Sequence, residues 1–383
     1  MQNKNRTTPP TVHVSERNKN FEILRSMSML FIVMLHYLKS VGSVLSFDIE
    51  TKAGLFNYVA STLFFILFST AVPCFVMITG FFLINKTEFN IKRIEKTWLR
   101  AFSIVLVIYV IAYLYDSDIQ HIKDVLSIFY LGFREGVSLW FVDYYLGLIF
   151  VAPFLALLAQ HLSKKEYQLL LLVLIFINIT VFGRFGTALG VVNRGYSLQY
   201  FILLFFVGGY IRLYNPFPKP HYAFLGIIIF TVLQLLVQLI HSFAHEFGSF
   251  NQLNFVYSGL VFFVSVFLFI WVKNHRFNST IWKPIVKVAP FTFAVYLFHD
   301  NLYIRHLLWF GFFQPKDYVN SFLFIPLMFV ISIGVFFVGV LIDYVRAIIV
   351  DRIDEGKMLD MFNEKVLQVC SPLYNKLKSR IYE

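Results

Sequence analysis

Phe21-Glu-Ile-Leu-Arg25-Ser-Met-Ser-Met-Leu-Phe-Ile-Val-Met-Leu-His36-Tyr-Leu-Lys39 decides the class of this chain. The run is apolar and helix-forming, yet it carries Glu22, Arg25, His36 and Lys39. Arg25 and His36 are eleven residues apart. At about 100° per residue that is about 1100°, which returns the two side chains to within roughly 20° of one face. Glu22 and Lys39 extend the same stripe. A charged group at the centre of a membrane helix costs on the order of 2.5 to 3.5 kcal/mol by insertion scales, so such groups turn toward a bundle interior or a wet cavity. The stripe is a candidate functional face.

Outward from this stretch the apolar pattern recurs along the chain. Of 383 residues, 58% are hydrophobic and only 14% are charged. A bilayer is crossed by about 20 apolar residues in a helix, and ten such spans are predicted, at about 21–43, 58–84, 98–115, 139–160, 168–183, 198–213, 221–241, 255–272, 288–306 and 320–345. The expected fold is all-α, a polytopic membrane helix bundle of about ten transmembrane helices. The short alternating segments of a membrane β-barrel are not seen. The chain divides into a polar segment over 1–20, a membrane domain over 21–345 and a mixed apolar and basic tail over 346–383 that suits the surface of the inner leaflet. The first helix reads as an uncleaved signal anchor. Pro73, Pro153 and Pro290 are expected to kink their helices and free backbone carbonyls inside the bundle.

Orientation follows from the loops. The segments on the N-terminal side carry 24 of the 33 Lys and Arg residues, the opposite loops carry 6, and Arg25, Lys39 and Arg305 lie in spans. Basic residues concentrate on the cytoplasmic side, so both termini are expected there. The net charge of +11 is mostly topology and gives no reason to invoke nucleic acid. With this orientation Arg25 lies near the cytoplasmic face, and His36 lies about 16.5 Å further out at 1.5 Å per residue.

Each singled-out residue has more than one reading. Arg25 is either a fixed cation suited to a phosphate or a side chain snorkelling to the headgroups beside Glu22. His36 is either a proton-transfer group, for which its ordinary pKa of about 6.5 suits it, or an interhelical hydrogen-bonding histidine. Asp143 orients His36, binds a sugar hydroxyl or lies at the headgroup boundary. Trp140 is an interfacial anchor or a sugar platform, and Arg194 belongs to a solvated loop or clasps an anionic glycan. His299, with Asp300 beside it, either takes part directly or packs the bundle. The sequence has no phosphate-cradling Gly-x-x-x-x-Gly-Lys-Ser/Thr, no metal-spaced histidine pair on one helix and no Gly-x-Ser-x-Gly elbow. No metal is expected.

Arg25 and His36 with ten residues between them, preceded by Phe-Glu-Ile-Leu, resemble the first-helix signature of acyltransferase family 3. The similarity continues through Val72-Pro-Cys-Phe-Val-Met-Ile-Thr-Gly80-Phe-Phe-Leu, Ser138-Leu-Trp-Phe141, Phe206-Val-Gly-Gly-Tyr210 and Phe291-Thr-Phe-Ala-Val-Tyr-Leu-Phe-His299, in order across nearly all the membrane domain. The pattern departs at Cys74, Ala294 and Asp143.

The resemblance implies a membrane-bound O-acyltransferase, an O-acetyltransferase in the first instance, in the bacterial plasma membrane. Acetyl-CoA or another acyl-CoA would be the cytoplasmic donor, and a hydroxyl of an envelope or exported polysaccharide, or of its lipid-linked precursor, the acceptor. By position Arg25 would engage the CoA phosphates and His36 would take the acceptor proton. Glu22, Asp143, Trp140, Arg194 and His299 are supporting candidates. The basic loop from Lys86 to Arg100 attracts anionic lipid or helps draw CoA to the inner mouth. The tail is too short for an appended esterase-like domain, so the chain would complete the transfer itself or hand the acyl group to a separate protein. The competing class is a glycan or lipid carrier, a flippase whose intramembrane charges line a pathway.

Overall fold

The computed structural model describes residues 18–41, 47–115, 139–181, 197–244 and 259–350, with Pro372. Among them every regular element is helical. Helix α1 spans Lys19–Ser40, opened by Asn18, whose side chain accepts from the Asn20 N–H, with Glu22 in its first turn and Lys39 in its last. Both charges oppose the helix dipole in the favourable sense. Helices α2 (Lys52–Phe68) and α3 (Ala71–Leu83) form one membrane stretch broken at Ser69 and Thr70. The break lies four residues ahead of Pro73, where the proline ring meets the carbonyl of the preceding turn. Thr70 Oγ1 donates to the Leu67 carbonyl at 2.6 Å and satisfies one of the displaced groups.

The remaining helices are α4 (Ile91–Tyr115), α5 (Trp140–His161), α6 (Lys164–Ile175, continued by a π turn over Phe176–Val181), α7 (Leu198–Tyr214), α8 (Pro220–Ala244) and α9 (Gly259–Asn274). They are followed by α10 (Ser279–Val288), a 3-10 turn over Ala289–Phe291, α11 (Thr292–His299), α12 (Leu302–His306) and α13 (Phe324–Val350). A helical segment overlaps each of the ten stretches predicted. Six helical stretches among the described residues are long and apolar enough to cross a membrane, and α7 and α9 are apolar but shorter. The count of ten and the cytoplasmic termini rest on the sequence pattern. Pro153 sits within an unbroken α5, whereas Pro290 sits in the 3-10 turn between α10 and α11. The stretch predicted over 288–306 begins earlier and ends earlier: the apolar span is Thr280–His299, and Asp300 terminates it.

Burial fixes the layering. In α1, 72% of the apolar window lies inside the protein, against 28% in α8, so α1 is central and α8 faces lipid. Asn20 Nδ2 reaches the Val272, Lys273 and His275 carbonyls at the end of α9, and Ser26 Oγ donates to the Ile285 carbonyl on α10. Helices α3 and α7 cross almost in backbone contact. A Cβ on Gly80 would come within 2.1 Å of the Phe205 carbonyl oxygen, and one on Gly208 within 2.1 Å of the Met77 oxygen. Only glycine allows that approach. Fully buried Asp343 on α13 pairs with Arg100 of α4 and Arg346, and Arg100 also donates to the Pro290 carbonyl. This clamp holds the start of α11, the short helix that delivers His299.

Candidate functional site

The stripe on α1 turns inward, as its polar groups require. At its N-terminal end Arg25 Nη1 pairs with Glu22 Oε1 at 2.7 Å. Glu22 is buried, and its second oxygen has no partner. One turn beyond Arg25 the stripe opens on a small cavity of about 40 Å³, whose walls include Met29, Ile32, His36 and Lys39 of α1 with Trp140 and Tyr296 opposite. At roughly 10–15 Å³ per water that volume holds about three waters. Trp140 and His36 therefore share one space, and Arg25 lies one turn before Met29, the first α1 residue on the wall.

His36 is not alone. Its Nδ1 lies 2.9 Å from Nε2 of His299, and Nδ1 of His299 lies 2.5 Å from the Val295 carbonyl oxygen one turn back on α11. A carbonyl only accepts, so His299 Nδ1 carries a proton there. With both rings neutral, His299 Nε2 is then an acceptor and His36 Nδ1 must donate to it. That leaves Nε2 of His36 with a free lone pair. Asp300 brings Oδ1 to 3.7 Å from His36 Nδ1, and Arg305 Nη1 lies 3.5 Å from the same oxygen. His299 is fully buried and Asp300 nearly so. The arrangement is that of a base, a ring that sets its tautomer and a carboxylate that steadies the positive charge created when the base takes a proton.

The residues singled out by sequence are thus partly assembled. His36 and Trp140 meet at the cavity, and His299 is buried against His36; Glu22 and Arg25 form a separate pair one turn before its α1 wall. The carboxylate within ion-pair distance of the His36 ring belongs to Asp300. Arg194 lies outside the described residues. Asp300, Arg305 and Tyr296 were not named as site residues by sequence reading. The signal available for the first two was a carboxylate and a guanidinium five residues apart directly after His299, at the end of an apolar span.

The family model for acyltransferase family 3, described as an acyltransferase domain, matches residues 18–343. The chain belongs to acyltransferase family 3. The match begins at the cap of α1 and runs into α13, so it takes in the His36 cluster, the cavity and the Arg25–Glu22 pair. No curated protein and no solved structure matches the chain. Family membership and the apolar helices together make this acyltransferase family 3 member a multi-pass membrane acyltransferase.

Proposed function

We propose that the protein is an O-acyltransferase that moves an acyl group, acetyl in the first instance, from cytoplasmic acyl-CoA to a hydroxyl of an envelope or exported polysaccharide or its lipid-linked precursor. The observation that carries this reading is the His36–His299 contact at the cavity wall, which leaves His36 a lone pair suited to deprotonating a hydroxyl. In the step, the acceptor oxygen attacks the thioester carbonyl carbon as His36 Nε2 takes the hydroxyl proton. The ester C–O bond forms, the C–S bond breaks, and the proton passes from His36 to the departing thiolate. Asp300 stabilises the imidazolium in between. General-base catalysis of this kind contributes about 10²- to 10⁴-fold.

Arg25, held by Glu22, offers a cation to a donor phosphate near the inner end of α1. Trp140 offers an aromatic face to a sugar on the wall opposite His36. A cavity of about 40 Å³ is too small for both substrates, so turnover requires its walls to part. Cells with and without the gene provide the test, through the mass of their surface glycan. Loss of acetyl mass from an otherwise unchanged polymer is expected. Loss of polymer export with constant acyl content per chain would instead identify a carrier.

A further inference from the structure

Helix α11 has eight residues, about 12 Å of rise. A helix shorter than about 12–15 residues is marginal by itself, so the height at which α11 presents His299 is set by what grips it. The grip comes from the face of α13 that carries Gly339 and Asp343, four residues apart. At Gly339 the two backbones touch: a Cβ there would come within 2.5 Å of Val295 Cα and 2.9 Å of Val295 Cγ2. At Asp343 the carboxylate pairs with Arg100, which also donates to the Pro290 carbonyl at the entry to α11. The same guanidinium lies 5.8 Å from the centre of the Phe293 ring, and Tyr344 meets Phe291 edge-on with ring centres 5.6 Å apart.

Helix α13 reaches α1 as well. The hydroxyl of Tyr37, next to His36 in the chain, donates to the Phe324 carbonyl at the start of α13 at 3.3 Å. Helix α13 is thus a splint between the two histidine-bearing helices. What it holds in place is the Val295 carbonyl, where the order of protons begins. That oxygen accepts from His299 Nδ1, which leaves His299 Nε2 to accept from His36 Nδ1 at 2.9 Å. A neutral imidazole in water favours its proton on Nε2, so both rings are held in the less favoured tautomer by the partner each one meets. An N–H hydrogen bond is lost beyond about 3.2 Å, so a slide of α11 by about 1 Å breaks the sequence. Asp343 is fully buried between Arg100 and Arg346. Such clusters add little net stability over apolar residues of the same volume, and their best-attested use is to fix register.

We infer that α13, through Gly339 and the Arg100–Asp343 pair, fixes the register of α11 and with it the Nδ1–H tautomers of His299 and His36. Gly339, Asp343 and Arg100 are positioning residues for the proton transfer, a consequence that rests on the acyl-transfer reading. Nitrogen-15 NMR of the full chain in liposomes, with labelled histidine, reads the tautomers directly; the His36→Ala and His299→Phe proteins assign the signals. In wild type both rings should carry the proton on Nδ1. Gly339→Ala should give His36 a population protonated on Nε2 and lower kcat at least about tenfold, with the KM for acetyl-CoA unchanged. Gly334→Ala, on the same helix with nothing within 4 Å of its Cβ, should match wild type. The triple variant Arg100→Met/Asp343→Leu/Arg346→Met exchanges the ionic cluster for apolar volume. It should unfold no earlier than wild type and still show the same change of tautomer and loss of kcat. Wild-type tautomers in either folded variant overturn the inference, as does a wild type whose His36 carries its proton on Nε2. A fall in kcat with the tautomers unmoved overturns it too, and a triple variant that unfolds markedly earlier assigns the cluster to stability instead of register. Where Gly339→Ala does not fold, the triple variant decides. A wild-type protein with both Nδ1–H tautomers and no transfer from acetyl-CoA refutes the acyl-transfer reading alone.

Discussion

Replacing Asp300 by Asn removes one charge while preserving shape, and its effect on rate follows from distance. With Oδ1 at 3.7 Å from His36 Nδ1, Coulomb's law gives about 4.5 kcal/mol at an effective dielectric of about 20 and about 1.1 kcal/mol at about 80. The Asp300 carboxylate is buried, which favours the larger figure. Arg305 shares the same oxygen at 3.5 Å, with its side chain 48% exposed, and draws part of that charge away. A loss of about 1.4 to 2.8 kcal/mol in transition-state stabilisation results, which is about 10- to 100-fold in rate. The interaction exists only when His36 is protonated during the step, so the loss belongs in kcat and not in binding. Single-turnover transfer of labelled acetyl from saturating acetyl-CoA measures it, with the KM for acetyl-CoA expected to stay at the wild-type value. An Asp300→Asn protein with wild-type kcat would refute the reasoning, as would one whose defect lay wholly in KM.

His299→Phe keeps a ring in the packing but removes the acceptor for His36 Nδ1–H; the tautomer is no longer set, and kcat should fall by about 10²-fold or more, with thermal unfolding close to wild type. Gly208→Ala places a methyl within 2.1 Å of the Met77 carbonyl oxygen, so α3 and α7 must separate, and unfolding should reveal a loss of about 1–3 kcal/mol. At the start of α6, the Ser163 hydroxyl and N–H hold the Glu166 carboxyl below its ordinary pKa. A depressed folded-state pKa gives a contribution that is complete above the unfolded-state value and is lost as pH falls through the folded one. The protection of first-turn α6 amides against exchange, taken relative to the intrinsic rate at each pH, should fall on acidification, and Glu166→Gln should flatten that response.

Periodicity made α1 legible from end to end. The apolar run, its stripe and its ends differ from Lys19–Ser40 by only a few residues, because a helix face is a local property of spacing. The span over Thr280–His299 was harder to read. Lys283, Pro284 and Lys287 dilute its N-terminal half, and α10 is an amphipathic helix that joins α11 through a 3-10 turn. The kink expected from Pro73 falls one turn ahead of it, at the carbonyl with which the ring clashes. The site shows the same boundary more sharply. Spacing says which face of its own helix His36 occupies, but not which helix comes to face it, and its partner His299 is 263 residues away. Asp300, unlike Asp143, was not singled out as a group to orient His36; the packing of α11 against α1 brings its carboxylate to that ring.

Acetyl transfer by the purified protein in liposomes, comparing wild type with His36→Ala, bears most directly on the claim that this imidazole does the chemistry. With labelled acetyl-CoA on the side of the basic loops and a glycan acceptor on the other, the variant should lose at least about 10²-fold in turnover while unfolding at the wild-type temperature and binding CoA normally. Turnover equal to wild type in a folded His36→Ala protein would contradict it.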